Sequence, residues 1–185
     1  MTRAPIVSSF AILALAGLAA CADAAPPPVD TPTAAPVSPA SPLIASDYVT
    51  MAAQSDAYER QAGMLALDAS GNAQVQSFAR MMVQDHATSS AQLSDAARAA
   101  GLTPPPTMLR PDQQRMLADL RRASGPDFDR TYMTQQVVAH QQALRIHSAY
   151  AENGDNPMLK AAAAMIAPVV RHHLDMAQMI QAGLH

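Results

Sequence analysis

Along most of this chain apolar residues recur at alternating steps of three and four, the spacing by which one helix buries a face against another. In the seam Val75, Ala79, Met82, His86, Ser89, Leu93 and Ala96, a histidine stands at the midpoint, where a leucine would pack at lower cost. Four long helices follow from this pattern. The first starts at Ser46 or Asp47, either of which can cap it, and runs to about Ala69. Its stripe holds Tyr48, Met51, Ser55, Tyr58, Ala62, Leu65 and Ala69, with Glu59 on the flank. Ser70-Gly71-Asn72 reads as a turn. The second helix spans about Ala73 to Ala100, with Gly101 in the usual terminating position. Another runs from about Asp127 to Asn153, with stripe Met133, Val137, His140, Leu144, His147 and Ala151. The last begins at Pro157, where a missing N–H is harmless, and reaches about Ala182 through Leu159, Ala162, Ile166, Val169, His173, Met176 and Ile180. Pro168 lies inside it and should free the carbonyl of Ala164, bending the helix one turn before His172 and His173.

The connections predict how these helices assemble. The first and last pairs are joined by tight turns. About 25 residues separate the second helix from the next long one, including Thr103-Pro104-Pro105-Pro106-Thr107 and a short helix from Pro111 to about Ala123. A connection of that length can carry the chain the full height of a bundle. The expected fold is therefore all-α, a ferritin-like four-helix bundle over residues 46–185 with a long crossover containing a short helix.

Residues 1–45 are of another kind. Arg3 and the apolar run Phe10–Ala20 form an export signal too short to span a membrane stably. The run ends in Leu18-Ala19-Ala20-Cys21, the pattern of a lipobox, with the chain's single cysteine as the lipidated residue. Cleavage before Cys21 makes residues 1–20 a signal peptide. Ala22, rather than Asp, after the cysteine points to an outer-membrane lipoprotein facing the periplasm. An ordinary leader cut after Ala24 would instead release a soluble periplasmic or secreted protein. From 21 to 45 the chain is rich in Pro and Ala, with seven prolines between Pro26 and Pro42. It reads as a disordered tether reaching on the order of 70 Å. The only partner this implies is the membrane, through the anchor at Cys21.

Composition narrows the chemistry. With 49% apolar residues, 4% aromatic residues and no Trp, the chain suits close helix packing. Net charge is −3, Lys160 is the only lysine, and no basic run exceeds Arg121-Arg122, which leaves no electrostatic footprint for nucleic acid. No nucleophile elbow, phosphate-binding glycine loop or zincin motif occurs, so nothing marks a catalytic residue.

The polar midline carries the candidate chemistry. Glu59, His86 and His140 lie near the middle of three long helices, and His173 slightly past the middle of the fourth. Midpoints of equal-length helices share a layer whichever way each helix points. One carboxylate and three imidazoles are thereby expected to converge, with Asp85, His147 and His172 behind them as orienting groups or alternative ligands. Asp85 would orient His86 through its second nitrogen. Such a cluster resolves either as a site for one divalent Zn, Fe or Mn ion or a small ligand, or as a metal-free hydrogen-bonded network in a non-catalytic envelope interaction protein. Met81, Met82, Met176 and Met179, near His86 and His173 in sequence, add copper handling as a lesser reading. A diiron centre is not expected, because only Glu59 and Glu152 supply glutamate and the Glu-x-x-His pairs are missing.

Three stretches carry a resemblance to a known family: Phe78-Ala-Arg-Met-Met-Val-Gln-Asp-His86, Phe128-Asp-Arg-Thr-Tyr-Met133 with His140, and His173-Leu-Asp-Met-Ala177. Across residues 47–182 the chain resembles the bacterial domain-of-unknown-function family numbered 4142. That resemblance implies a ferritin-like fold and an outer-membrane or periplasmic address; a role in envelope stress protection is a separate expectation, tied to the midline site. It places Glu59, His86, His140 and His173 on recurring polar positions of the family. The chain departs at Gln61 and Ser148, where further glutamates are common, and at His147, where an aromatic residue is usual.

Overall fold

A computed structural model describes residues 40–104 and 108–184. The signal peptide, Cys21 and nearly all of the tether lie outside the described residues. Five helices and no strand are present among those described: α1 (Ala45–Ala69), α2 (Ala73–Ala99), α3 (Pro111–Arg122), α4 (Gly125–Asn153) and α5 (Pro157–Gly183). None is long and apolar enough to cross a membrane.

Local chemistry accounts for most of the helix ends. The Asn72 and Asn156 side chains each accept from two backbone N–H groups, capping α2 and α5. Gly101, at φ 76°, closes α2, with the Leu102 N–H returning to the Ala97 carbonyl. The start of α1 differs from expectation. Ile44 occupies the cap position without a side-chain bond, and the Asp47 carboxylate instead accepts from the Ser41 N–H. Pro168 does not interrupt α5, which runs through it with Ala164 and Pro168 both on its exposed side.

The four long helices form a bundle in which α1 packs on α2 and α4, and α5 on α2 and α4. Contacts between α1 and α4 run in opposite chain directions, from Tyr48–His147 through Glu59–Gln136 to Ser70–Asp129. At one end Tyr48, Leu93, Ala97, Tyr150 and Leu159 make an apolar layer. At the other, Tyr58, Phe78, Met82, Phe128, Tyr132 and Ile180 make a larger one that also receives Leu117 and Leu120 of α3. The chain therefore leaves α2 in one layer and enters α4 in the other. Short helix α3 is held on the way by Gln113, whose amide donates to the Gln54 carbonyl.

The inward face of α1 is rotated from the expected stripe. Tyr48, Ala52, Asp56, Glu59, Ala62 and Ala66 are buried, whereas Met51 and Ser55 are only partly so. Small residues on this face bring α1 close to α2, and a Cβ added at Gly63 would lie 2.9 Å from Val83 Cγ2 and 3.1 Å from the Ala79 carbonyl oxygen. Between the two apolar layers lies a polar one, and α1, α2, α4 and α5 all contribute to it.

Candidate metal centre

His86 of α2, His140 of α4 and His173 of α5 meet in that polar layer. All three are buried, with exposures of 4%, 1% and 1%. Their ring centroids form a triangle with every side 5.5 Å, the planes inclined by 51–75°. One ring nitrogen from each lies within 4.8 Å of the other two.

Hydrogen bonds determine which nitrogens these are. His86 Nδ1 is 2.8 Å from Asp56 Oδ1, His140 Nδ1 is 2.9 Å from the Gln136 carbonyl oxygen, and His173 Nε2 is 2.9 Å from Asp85 Oδ2. A carboxylate and a backbone carbonyl only accept, so each of these nitrogens carries the proton and donates. The opposite nitrogens, His86 Nε2, His140 Nε2 and His173 Nδ1, are then lone pairs in the neutral rings. All three are buried, and none has a partner among the described residues. In the neutral rings these three nitrogens have no donor to meet, and the group could hold a cation, either a metal ion or an added proton on His86 Nε2.

The dimensions suit an ion. A triangle of 5.5 Å sides sets each centroid about 3.2 Å from a common centre. An imidazole-bound transition metal, with a bond of about 2.0–2.1 Å to a nitrogen roughly 1.1 Å from its ring centroid, stands at the same distance. The donor set, three neutral nitrogens each backed by an acceptor that orients it, is the usual arrangement for histidine ligands.

Electrostatics divide the three rings. Burial alone would lower His86, but the hydrogen bond and charge of Asp56, with Glu59 and Asp85, raise its pKa above 6.5. His140 is pushed well below 6.5 by burial and by the neighbouring His86 and His173. Burial brings His173 down to about 4 despite its bond to Asp85. Without a metal, one proton therefore resides preferentially on His86 beside Asp56, and it competes with an ion for the site.

The other expected residues fall elsewhere. Glu59 is buried next to His140, but its Oε1 lies 3.8 Å from Nδ1, the nitrogen turned toward the Gln136 carbonyl, and its Oε2 accepts from the Gln136 amide. Burial lifts its pKa to about 7, with His86 and Gln136 opposing. The structure does not bring Glu59 into the histidine group. Asp85 was expected to orient His86; it bonds His173 instead, because one residue of helix turns its side chain about 100° away, toward α5. His172 is exposed for the same reason, one step round the helix from His173. His147 is buried two turns along α4 from His140, about 10 Å by helical rise. Its Nδ1 pairs with the Tyr48 hydroxyl, and burial lowers its pKa to about 4. Among the methionines, Met82 is fully buried in the larger apolar layer, Met81 and Met176 pack against it, and Met179 is 69% exposed.

Asp56 is the residue the spacing did not reveal. A lone aspartate inside a helix reads as a solvated face. The available signal was the alternation Ala52, Asp56, Glu59, Ala62 and Ala66, in which both acids fall on a seam of alanines. Ser90, one turn beyond His86, extends the support, its single hydroxyl proton shared between the His86 carbonyl oxygen at 2.8 Å and Asp56 Oδ2 at 3.2 Å.

No curated protein matches the chain. Among solved structures, CopM in its Cu(II)-bound form is similar at a TM-score of 0.65 and 16% identity, over 77% of this chain and 98% of that one. CopM in its Ag-bound form gives 0.63 and 15% over the same shares. A DUF305 fragment from Deinococcus radiodurans gives 0.67 and 18%, over 80% of this chain and all of the fragment. At these identities the likeness is one of fold. The family model for the domain of unknown function DUF4142 matches residues 30–180, and the chain belongs to that family.

Proposed function

We propose that this domain binds one transition-metal ion through His86 Nε2, His140 Nε2 and His173 Nδ1, and that metal handling in the cell envelope is its role. The observation that carries the reading is the set of three buried, unpartnered ring nitrogens facing one another, each opposed by an acceptor on its far side. A metal-free network has no donor for those lone pairs among the described residues, beyond the single proton that His86 attracts. Asp56 and Asp85 hold two of the rings, and the Gln136 carbonyl holds the third. Glu59 adds a carboxyl whose pKa burial raises to about 7, so it carries less than a full negative charge near neutral pH.

Copper is the ion we place first. Imidazole nitrogen binds zinc, copper and iron, and divalent copper heads the affinity order for such a site. One neighbour of the same fold, CopM, carries Cu(II) in one structure and Ag in another, which supports this choice over zinc, iron or manganese. The bound ion would supply Lewis acidity or redox capacity; the chain's own residues orient three rings and exclude water from them. In this reading the bundle is ferritin-like, α3 lies in its crossover, and lipidated Cys21 with the proline-rich tether holds the domain to the outer membrane on the periplasmic side.

Purified full-length protein tests the reading. Elemental analysis and titration with Cu, Zn, Fe and Mn should give one ion per chain and a rise in melting temperature, because a ligand that binds only the folded state stabilises it by mass action. Absence of stoichiometric uptake of every ion, with no change in melting temperature, would overturn it.

A further inference from the structure

An ion cannot reach the three donor nitrogens while the bundle is closed, because His86 Nε2, His140 Nε2 and His173 Nδ1 are all buried. Uptake therefore requires helices to part, and the seams between them are held unequally. Short turns join α1 to α2 and α4 to α5. The α1–α4 seam is stitched by the Tyr48–His147, Tyr58–Gln135, Glu59–Gln136 and Ser70–Asp129 hydrogen bonds. Helix α3 also spans it: the Gln113 amide donates to the Gln54 carbonyl of α1, and the Gln135 amide of α4 donates to the Met116 carbonyl. Between α2 and α5 the one side-chain hydrogen bond among the described residues is that of His173 with Asp85.

That least-stitched seam also holds a cleft of about 210 Å³, lined in part by His86, His173, Ile166 and Val170, which stops short of the donor nitrogens. Asp85 is the one charged residue lining it, and its side chain is 37% exposed. A cation arriving from solvent meets that carboxylate first. The α5 wall has a weak point as well. Pro168 has no N–H for the Ala164 carbonyl, so the turn that carries Ile166, just before Val170 and His173, lacks one backbone hydrogen bond.

We infer that the α2–α5 seam is the gate of the centre, with Asp85 as the first contact of an incoming hydrated divalent cation and His173 as the ring that moves. The inference rests on the metal reading above. Asp85 Oδ2 is the acceptor that holds His173 in place, so a cation drawn to this carboxylate competes with the His173 N–H for it. The ring is then released together with the single polar tie across the seam. Opening at the unsupported turn of α5 lets the ion pass inward to His86 and His140. His173 closes behind it, and its Nε2–H returns to Asp85.

The test is kinetic, on full-length protein whose copper stoichiometry has first been measured. Stopped-flow uptake of Cu(II) is followed by copper d–d absorption, and release by transfer to EDTA in the range where the rate no longer depends on EDTA concentration. Pro168→Ala restores the backbone hydrogen bond of the turn and should slow uptake and release together by about 2–10-fold, with affinity unchanged. Asp85→Asn should slow uptake by about 3–30-fold at low ionic strength and remove most of its salt dependence. Asp56→Asn, which also removes a carboxylate from behind a ligand ring but not from the cleft, should keep the wild-type salt dependence of uptake. Gly63→Ala, which strains the α1–α2 contact, should leave the uptake rate unchanged. The inference is overturned if Pro168→Ala exchanges copper at wild-type rates, or if Asp85→Asn and Asp56→Asn respond alike to salt. Faster uptake by Gly63→Ala would also overturn it, since the ion would then enter through unfolding of the whole bundle. A protein that takes up no copper at all fails the metal reading instead, and the stoichiometry measured beforehand tells the two failures apart.

Discussion

Replacing Asp56 by asparagine tests the proposed centre without touching a ligand. The carboxylate is 2.8 Å from His86 Nδ1, and the two side chains are 4% and 5% exposed, so little water screens the bond. Asparagine has the same shape and can keep Ser90 in place, so the bundle should remain folded. Two things change. The amide either accepts weakly from Nδ1–H or presents its NH2 to Nδ1, which moves the ring proton to Nε2, the nitrogen needed for metal. Loss of a partner behind a metal-bound histidine weakens affinity by about 10–100-fold, or roughly 1.4–2.7 kcal/mol. The second change concerns pH. Asp56 holds the His86 pKa above 6.5, so a proton must leave as metal arrives, and wild-type affinity falls as pH drops through that raised pKa. Without the charge, His86 surrenders its proton at lower pH, and the fall in affinity begins further into acid. Competition with a chromophoric chelator at constant ionic strength, from pH 5.5 to 8.5, measures both. Asp95→Asn, at an exposed carboxylate paired with Arg98, is the control. Unchanged affinity at pH 8 together with an unchanged pH profile would refute the role given to Asp56, and with it the assignment of His86 Nε2 as a donor.

Other outcomes follow from the same geometry. His140→Ala should lower metal affinity by more than about 100-fold, while His172→Ala, on the exposed face of α5, leaves it unchanged by the same chelator assay. Equal effects would count against the site. His147 has a folded pKa of about 4 against 6.5 unfolded, so the unfolded chain takes its proton first as pH falls. Stability present above pH 6.5 is therefore lost toward pH 4, by about 3 kcal/mol from this residue. In metal-free protein, denaturant unfolding of His147→Gln should show a correspondingly smaller drop between pH 7.5 and 4.5 than wild type. Gly63→Ala places a methyl 3.1 Å from the Ala79 carbonyl oxygen and closer still to the Val83 side chain. It should cost about 1–3 kcal/mol and lower the melting temperature by several degrees, with one metal ion still bound at 25 °C.

Helical spans were legible because their signals are local. Asn72, Gly101 and Pro157 mark ends through their own chemistry, and the apolar seam of α2 was readable almost residue for residue. Convergence of His86, His140 and His173 was also accessible, since midpoints of similar helices share a layer regardless of topology. Rotation about each helix axis was not. One residue is about 100°, so the choice between His172 and His173, or between Asp85 facing His86 and Asp85 facing His173, depends on neighbours that no local pattern encodes. The face of α1 went astray in the same way. Met51 and Leu65 appeared to define it, but close approach to α2 selects the small residues at 52, 62 and 66, and that choice carries Asp56 inward.

Placement of the carboxylates explains how such a centre can exist inside a bundle. A carboxylate bound directly to an ion neutralises it but must be desolvated along with it. Here Asp56 and Asp85 each stand one imidazole away, and both keep hydrogen bonds that survive without the ion. The metal-free state is then a viable fold with one extra proton near His86, not a cavity of bare charges. Burial penalises protonation of His140 and His173, so the same core that disfavours a second or third proton leaves their lone pairs available. A single cation can replace one proton and engage all three rings at once. Because those rings come from α2, α4 and α5, and the Asp56 support from α1, binding ties together the four long helices. Metal loading should therefore slow unfolding of the whole bundle, not of one helix pair. Hydrogen exchange with and without the ion is the measurement, and protection gained only near His86 would show that the coupling does not reach across the bundle.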